Sequence, residues 1–311
     1  MRILIVCSGN APNFKLSQHQ AFVYDQVAAL KRRDQALQFD YFFITGRGLT
    51  GYLSCLKKLT RKLNSQPYQC IHAHVAMSGM LANLQRRVPV ITTFHGSDIN
   101  VPLLRVISLL VELLSRRTIY VSPGLVSKAI YTGPKRAIIP CGVDLNVFRP
   151  RNKMESRQKL GLLSHKKYVL FSSDFGNAVK NYPLARAATN LLADDTIELL
   201  ELKNYTRQEV ALLFTAVDVA LMTSFSEGSP QFIKEALACN CPVVSTDVGD
   251  ARLVMNGIPG CHLTTYDPTD VAQNIQSVLT ATSPFLSRHY VQHLDNQLIA
   301  DQIRTLYHQV E

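Results

Sequence analysis

Short apolar runs alternate with amphipathic stretches along most of this chain. In the first half the apolar runs predict strands at 2–6, 39–44, 71–73, 90–94, 118–121 and 137–139. Apolar positions three and four residues apart predict helices at 19–33, 51–64, 78–86, 103–115 and 124–131. Strands and helices that alternate in this way are typical of a parallel sheet covered by helices on both faces. In such sheets, ligands bind outside the carboxyl ends of the strands.

The alternation stops at residues 148–153, a polar run with a proline that we interpret as a linker. A second alternation follows it, with strands predicted at 168–172, 196–201, 217–221, 243–245 and 261–263. The helices predicted in this half lie at 182–192, 207–215, 230–238, 250–255, 270–281 and 298–310. The sequence therefore predicts two α/β domains, at 1–148 and 149–290, and a C-terminal helical segment at 291–311.

Length and composition fit this division. A chain of 311 residues with 47% hydrophobic residues can form two cores. No apolar run reaches the ~18 residues of a membrane-spanning helix, and the apolar N-terminus is too short for a secretory signal. Seven cysteines without such a signal indicate reduced thiols. We expect a cytoplasmic protein.

Charge is unevenly distributed over the two halves. Residues 1–150 carry 19 Lys and Arg against 6 Asp and Glu, or +13, and residues 151–311 carry 14 against 17, or −3. A basic half favours anionic partners. Two interpretations stay open: the basic clusters are solvated helix faces, or this half binds an anionic membrane surface, on the inner face of the cell membrane. No nucleic-acid recognition motif is present, so nucleic acid is not an expected partner.

The segment SEGSPQFIKE in the C-terminal third is the most informative part of the chain. It follows a predicted strand and holds two carboxylates, Glu227 and Glu235, on either side of a helix start. We predict Ser229 as the N-cap and Pro230 as the first helical residue. Together with Gly228, this start would present backbone N–H groups and the positive end of the helix dipole. The segment therefore predicts a phosphate-binding site.

Other polar residues also follow predicted strands. Gly9 and Asn10 come after the first strand, where Gly9 either brings backbone N–H groups close to a phosphate or forms an ordinary turn. The chain lacks a G-x-G-x-x-G sequence at this point, which argues against an NAD enzyme. We expect His72 and His74 to point to opposite sides of their strand and interpret both as structural.

The SEGSPQFIKE segment resembles the E-x7-E motif of the family-4 retaining glycosyltransferases, which have the GT-B fold. Further motifs occur in the family's order and at its usual intervals, namely FHGSD, YVS, IPCGVD, KN and CPVVSTDVG. The set is similar to that of bacterial polysaccharide and teichuronic-acid-type glycosyltransferases. The resemblance implies two Rossmann-like domains that face each other across a cleft, with a last helix that crosses back to the N-terminal domain.

The resemblance also implies roles for single residues. Glu227 would contact hydroxyls of the donor sugar, and Glu235 would bind the ribose hydroxyls. Lys180 would neutralise the diphosphate leaving group. His95 would contact the donor sugar and help to stabilise the transition state. Asp98 would face the acceptor, although a helix N-cap is an equally good interpretation.

Two further assignments complete the predicted site. We place Gly9 on the donor side and Asn10 on the acceptor side. The family usually has an Arg five or six residues before the Lys that corresponds to Lys180, but this chain has Asp174 and Phe175 there. Either Lys180 acts with backbone donors, or another cation replaces the Arg.

The predicted activity is retaining transfer of a sugar from a UDP- or GDP-sugar, with no cofactor and no metal, because no D-x-D motif is evident. The expected acceptor is a glycan or a lipid-linked glycan in bacterial surface polysaccharide synthesis. Two alternatives stay open. One is a GT-B sugar-nucleotide epimerase or small-molecule transferase, and the other is a non-catalytic nucleotide-binding subunit.

Overall fold

The computed structural model describes residues 1–310, without the side chain of Leu49. The chain forms two compact units: the first combines Met1–Gly142 with Asn296–Glu311, and the second is Val143–Asp295. The structure places the first boundary after residue 142, six residues before the predicted boundary after residue 148. It places the second boundary after residue 295, five residues beyond the predicted boundary after residue 290.

The first unit contains a six-stranded parallel sheet with the order β2-β1-β3-β4-β5-β6. All six strands were predicted, and their observed bounds are β1 Arg2–Ser8, β2 Gln38–Ile44, β3 Cys70–His74, β4 Val90–Phe94, β5 Arg117–Tyr120 and β6 Arg136–Ile138. The helices between them are α1 Leu16–His19, α2 Ala21–Arg33, α3 Gly48–Ser54, α4 Leu56–Ser65, α5 Ala76–Asn83, α6 Ser97–Asn100, α7 Pro102–Leu114 and α8 Pro123–Lys128.

The second unit contains a five-stranded parallel sheet with the order β11-β10-β9-β7-β8. Its strands are β7 Lys167–Phe171, β8 Ile197–Glu201, β9 Val219–Met222, β10 Val243–Thr246 and β11 His262–Thr264. Its α-helices are α9 Lys153–Leu160, α10 Tyr182–Leu191, α11 Arg207–Ala216, α12 Gln231–Ala238, α13 Ala251–Met255 and α14 Pro268–Thr280. Two 3₁₀ segments, Ala178–Lys180 and Arg288–Leu294, complete it.

The interpretation of 148–153 as a linker is wrong. Phe148 is fully buried in the core of the second unit. Helix α9 starts at Lys153, the last residue of the run, and the side chain of its N-cap residue Asn152 accepts a hydrogen bond from the N–H of Glu155 at 3.0 Å. The sequence analysis did not predict this short helix, because its polar composition gives little apolar periodicity.

The last helix, α15 Asn296–His308, belongs to the first unit. It packs against α2, and its buried residues Ile299, Ile303 and Tyr307 share a core with β1. The longest α-helices of the described residues have 13 residues, and none is long and apolar enough to cross a membrane.

Candidate functional site

The predicted phosphate-binding segment lies at the carboxyl edge of the second sheet, between β9 and α12. The helix starts one residue later than predicted: Pro230 is the N-cap residue and Gln231 is the first helical residue. Ser229 does not cap the helix, because its hydroxyl donates to Oδ2 of Asp250 at 2.6 Å. Gly228 precedes it in the turn. The N–H groups of the first helical turn have no acceptor within the helix itself, as at any helix start.

Lys180 and Glu227 form an ion pair at this edge. The Nζ atom of Lys180 lies 2.5 Å from Oε1 of Glu227, and the side chains are 21% and 15% exposed. Two hydrogen bonds join the loops: Thr223 donates its hydroxyl to the carbonyl of Lys180 at 2.9 Å, and Phe225 donates its N–H to the carbonyl of Val179 at 2.9 Å. These contacts bring the loop after β7 to the end of β9, so the two predicted residues meet.

Glu235 is paired with a cation that the sequence did not reveal. Nη1 of Arg207 lies 2.8 Å from Oε1 of Glu235, whose side chain is 6% exposed. The guanidinium of Arg207 also lies over the ring of Phe148, 4.6 Å from its centroid. Arg207 is the first residue of α11. A cation is unfavourable near the positive end of a helix dipole, and this is the signal that could have pointed to an anionic partner.

A second buried pair lies beneath the start of α12. Lys234 is fully buried, and its Nζ donates to the hydroxyl of Ser229 and lies 3.6 Å from Oδ2 of Asp250. Gly249 has a φ of +63°, and a Cβ there would lie 2.7 Å from the carbonyl oxygen of Gly228. The turn that carries Asp250 therefore packs directly on the Gly228 turn. A lysine among apolar helix residues needs an anion, and this signal was available in the sequence.

Asp174 and Phe175 occupy the two positions at which the family usually has an Arg. The ring of Phe175 stacks on Tyr182 with 4.0 Å between centroids, and its N–H donates to Oε1 of Glu201 at 2.7 Å. Oδ1 of Asp174 accepts the N–H of Gly176 at 3.1 Å. Neither residue supplies a positive charge.

Three histidines form a stacked group in the first unit. The rings of His72 and His74 stack at 4.5 Å, and those of His74 and His95 stack at 5.3 Å. A hydrogen bond of 3.0 Å joins Nδ1 of His74 to Nε2 of His95. The ring of Phe22 lies 4.5 Å from that of His95, and Sγ of Cys141 lies 3.7 Å from its Nδ1. Burial lowers the pKa of His95 to about 3, so its imidazole is neutral at pH 7.

The prediction that His72 and His74 point to opposite sides was wrong. Successive residues of a strand alternate between its faces, so residues two positions apart share a face. Both side chains are buried, and His72 is hydrogen-bonded to the hydroxyls of Tyr307 at 2.7 Å and Thr93 at 2.8 Å. The interpretation of His72 as structural is compatible with these contacts, whereas His74 contacts a predicted catalytic residue.

Asp98 lies inside the short helix α6, after its N-cap residue Gly96, and is buried. Its Oδ1 accepts the N–H of Ala76 at 2.6 Å, and its Oδ2 accepts the N–H of His95 at 2.8 Å. Burial raises the pKa of this carboxyl, and the backbone N–H donors oppose that shift. Asp98 therefore fixes the backbone that carries His95, rather than acting as the N-cap of its own helix.

Gly9 and Asn10 both support the loop after β1. The N–H of Gly9 donates to the carbonyl of Ile44 at 2.8 Å, and a Cβ on Gly9 would lie 2.8 Å from the Cβ of Phe43. The side-chain amide of Asn10 bonds to both the N–H and the carbonyl of Gly46, at 2.7 and 2.9 Å. The glycine is needed for close approach to β2, and its own N–H is engaged there rather than directed at a ligand.

Comparison with known families supports the class that these sites suggest. A family model described as Glycosyltransferase Family 4 matches residues 13–147, and one described as Glycosyl transferases group 1 matches residues 176–281. Together the two matched domains indicate a glycosyltransferase of the GT-B fold.

Curated relatives are similar at low identity. The D-inositol 3-phosphate glycosyltransferase of Mycobacterium marinum is 26% identical over 277 residues, which cover 73% of this chain and 59% of the relative. The enzyme of the same name from Mycolicibacterium smegmatis is 26% identical over 273 residues, with coverages of 73% and 63%. The chain thus spans less than two thirds of the length of these relatives.

Solved structures match over nearly the whole chain. The sucrose-phosphate synthase from Thermosynechococcus elongatus has a TM-score of 0.84 at 17% identity, covering 99% of this chain and 98% of that chain. Anabaena Alr3699/HepE in complex with UDP has a TM-score of 0.76 at 18% identity, covering 99% of both chains. These likenesses confirm the predicted fold class, GT-B with two Rossmann-like domains.

Proposed function

We propose that this protein is a retaining glycosyltransferase that moves a sugar from a UDP- or GDP-sugar to an acceptor hydroxyl. The ion pair of Lys180 and Glu227 carries the proposal. In the second sheet, β8 lies on one side of β7 and β9 lies on its other side. The direction in which the chain adds strands therefore reverses between β7 and β9. Ligands of open α/β sheets bind at such a reversal, outside the carboxyl ends of the strands. Lys180 follows β7 and Glu227 follows β9, at this point of the sheet.

The diphosphate of the donor would bind between Lys180 and the turn of Gly228, Ser229 and Pro230 at the start of α12. Helix starts favour anions, and a lysine adds a full positive charge. Glu235 would bind the ribose hydroxyls, with Arg207 fixing its carboxylate through Oε1. The structurally similar HepE was solved in complex with UDP, which supports a nucleotide-sugar donor for this chain.

Transfer then requires one bond exchange. The bond between the sugar C1 and the diphosphate oxygen breaks, the acceptor oxygen bonds to C1 on the same face, and the acceptor proton passes to the departing diphosphate. Lys180 and the helix start stabilise the charge that develops on that diphosphate.

Glu227 and the neutral His95 would hold the sugar hydroxyls. Gly9 on the donor side and Asp98 and Asn10 on the acceptor side would act through the loops that they brace. We propose that the reaction needs no metal.

The proposed acceptor is a glycan or lipid-linked glycan of a bacterial surface polysaccharide, reached at an anionic membrane surface. The charge of +13 on residues 1–150 suits an acceptor that carries phosphate. A second candidate is a soluble phosphorylated polyol. It is favoured by the relatives named D-inositol 3-phosphate glycosyltransferase, and the same basic half would accommodate it.

A two-stage experiment tests the proposal. Thermal shifts with UDP and GDP identify the nucleotide, because a ligand that binds only the native state raises its melting temperature. Release of nucleoside diphosphate from UDP- and GDP-sugars is then measured with a bacterial lipid extract and with D-inositol 3-phosphate, with and without EDTA. NMR of the product anomer distinguishes retention from inversion.

Glu227→Ala should abolish transfer while the far-UV circular dichroism stays unchanged. Full activity in this variant would remove Glu227 from the catalytic residues. Absence of nucleoside diphosphate release with every donor and acceptor would instead favour a non-catalytic nucleotide-binding subunit. Conversion of the sugar nucleotide to an epimer would favour the epimerase alternative.

A further inference from the structure

Helix α7 of the first unit has an unusual distribution of side chains. Its outward face consists of Leu103, Val106, Leu110 and Leu113, which are 75%, 53%, 46% and 54% exposed. Their spacing of three, four and three residues places them on one face of the helix. A surface helix normally presents polar residues to water and apolar residues to the core. We call the four residues the α7 surface.

Two polar residues of α7, Ser108 and Glu112, point inward. Ser108 is buried and donates its hydroxyl to the carbonyl of Asp98 at 3.0 Å. Glu112 is also buried, and it accepts the N–H of Gly133 at 2.9 Å and the hydroxyl of Tyr120 at 3.1 Å. The only acidic side chain of the helix is therefore satisfied inside the unit. It contributes no carboxylate to the α7 surface.

Basic residues border the α7 surface. The lining of a groove of about 280 Å³ at the C-terminal end of the helix includes two partly exposed leucines and four basic residues. These residues are Leu113, Leu114, Arg86, Arg87, Arg116 and Lys135. Between residues 99 and 143 the sequence has six Lys and Arg, and its single acidic residue is the buried Glu112. An apolar face that is bordered by cations, on a segment whose single carboxylate is buried, complements an anionic lipid surface.

From these observations we propose that the α7 surface docks the protein on anionic membranes, with the leucines in the acyl–headgroup boundary and the groove on lipid phosphates. The proposal rests on the membrane partner named under the proposed function and adds the surface that binds it. A second copy of the chain is a poorer occupant, because it would bring the same positive charges together. The helix is too short to span a bilayer, so docking is peripheral.

Vesicle binding by the full chain tests this proposal without any nucleotide sugar. The chain has no tryptophan, so Leu110→Trp provides a single fluorescent reporter on the α7 surface. With vesicles of phosphatidylglycerol and phosphatidylcholine, its emission should shift to the blue, and brominated acyl chains should quench it. Phosphatidylcholine alone should produce neither effect. Leu253→Trp, at a residue of the second unit that is 64% exposed, is the matched control and should not respond.

Co-sedimentation of variants completes the test. Leu103→Gln with Leu110→Gln should weaken binding to the anionic vesicles by at least ~10-fold, because two apolar side chains no longer leave water. Arg116→Gln with Lys135→Gln should weaken it and reduce its salt dependence. Leu253→Gln with Leu286→Gln, also at exposed positions, should bind like the unmodified chain.

Three results would overturn the proposal: no binding of the unmodified chain to anionic vesicles, unchanged binding of both α7 variants, or self-association that the α7 variants abolish. Nucleoside diphosphate release with a water-soluble acceptor is measured on the same variants and should be unchanged. Failure of docking is therefore distinguishable from failure of the proposed activity.

Discussion

Lys180 and Glu227 lie 47 positions apart in the chain, yet Nζ of the lysine is 2.5 Å from Oε1 of the glutamate. Both side chains are largely buried, so the ion pair compensates charges that are mostly removed from water. A donor diphosphate would compete with Glu227 for the ammonium group. We infer that donor binding exchanges this ion pair for a lysine–phosphate contact, which leaves Glu227 to accept hydrogen bonds from the sugar.

The first prediction concerns Lys180. Lys180→Gln should lower kcat for transfer by ~10²–10³-fold, because the departing diphosphate loses its closest cation. The thermal shift produced by the nucleoside diphosphate should also decrease. Initial rates of nucleoside diphosphate release measure the first effect, and differential scanning fluorimetry measures the second.

Lys203→Gln is the matched control for that prediction. Lys203 is also a lysine of the second unit beside a glutamate, 3.7 Å from Glu201, but it is 53% exposed. Its loss should leave the rate within about twofold of the unmodified chain, since exposed ion pairs contribute little. Equal rates for the two variants would show that Lys180 does not act on the leaving group.

The second prediction concerns Arg207. Arg207→Leu should raise the Kd for UDP or GDP and lower the free energy of unfolding by about 3 kcal/mol, because the nearly buried carboxylate of Glu235 loses its ion pair with Arg207. Calorimetric titration and urea denaturation measure the two quantities.

Glu235→Gln separates binding from stability. This variant removes the negative charge and keeps a hydrogen-bonding group, so it should destabilise the fold less than Arg207→Leu while weakening nucleotide binding. Unchanged affinity in both variants would mean that Glu235 does not contact the nucleotide.

Sequence reasoning succeeded where the signal is local. All eleven strands of the described residues were predicted within two residues at each end, because a short apolar run between polar turns is a local signal. Helix α9 was not predicted because it has no apolar stripe: its buried residues are the polar Ser156 and Arg157. The predicted start of α12 was one residue too early, because the hydroxyl of Ser229 donates to Asp250, 21 positions away, and does not cap the helix.

The site was predicted in part for the same reason. Lys180 and Glu227 belong to short motifs, so both were identified before their contact was known. The sequence could indicate that Arg207 and Lys234 need anionic partners, but it could not show that these are Glu235 and Asp250, because ion-pair partners are set by tertiary structure. The error on His72 and His74 had another origin. Residues two positions apart in a strand lie on the same face, and this rule could have been applied to the sequence without a structure.

The third prediction concerns the buried Lys234. Lys234→Met should destabilise the second unit by about 3–5 kcal/mol, because Asp250 keeps its charge in a buried position without its cation. Lys234→Met combined with Asp250→Asn should recover much of that loss, since no uncompensated charge then remains. Urea denaturation of the two single variants and the double variant gives the coupling energy. Additive effects would contradict a direct interaction.

The last prediction concerns acid stability and rests on the histidines of β3. His72 is fully buried, and burial lowers its pKa to about 3, whereas an unfolded histidine titrates near ~6.5. Between these values the unfolded chain binds a proton that the folded chain does not, so the free energy of unfolding decreases as the pH falls. One such histidine contributes a slope of about 1.4 kcal/mol per pH unit.

His72→Gln should therefore reduce the slope of unfolding free energy against pH by about that amount between pH ~6 and ~4, whatever its effect at pH 7. Glutamine can still bond to a hydroxyl but does not titrate. Urea denaturation at a series of pH values measures the slope, and the comparison with the unmodified chain cancels the other titrating groups. An unaltered slope in His72→Gln would mean that His72 accepts a proton in the folded state within this range.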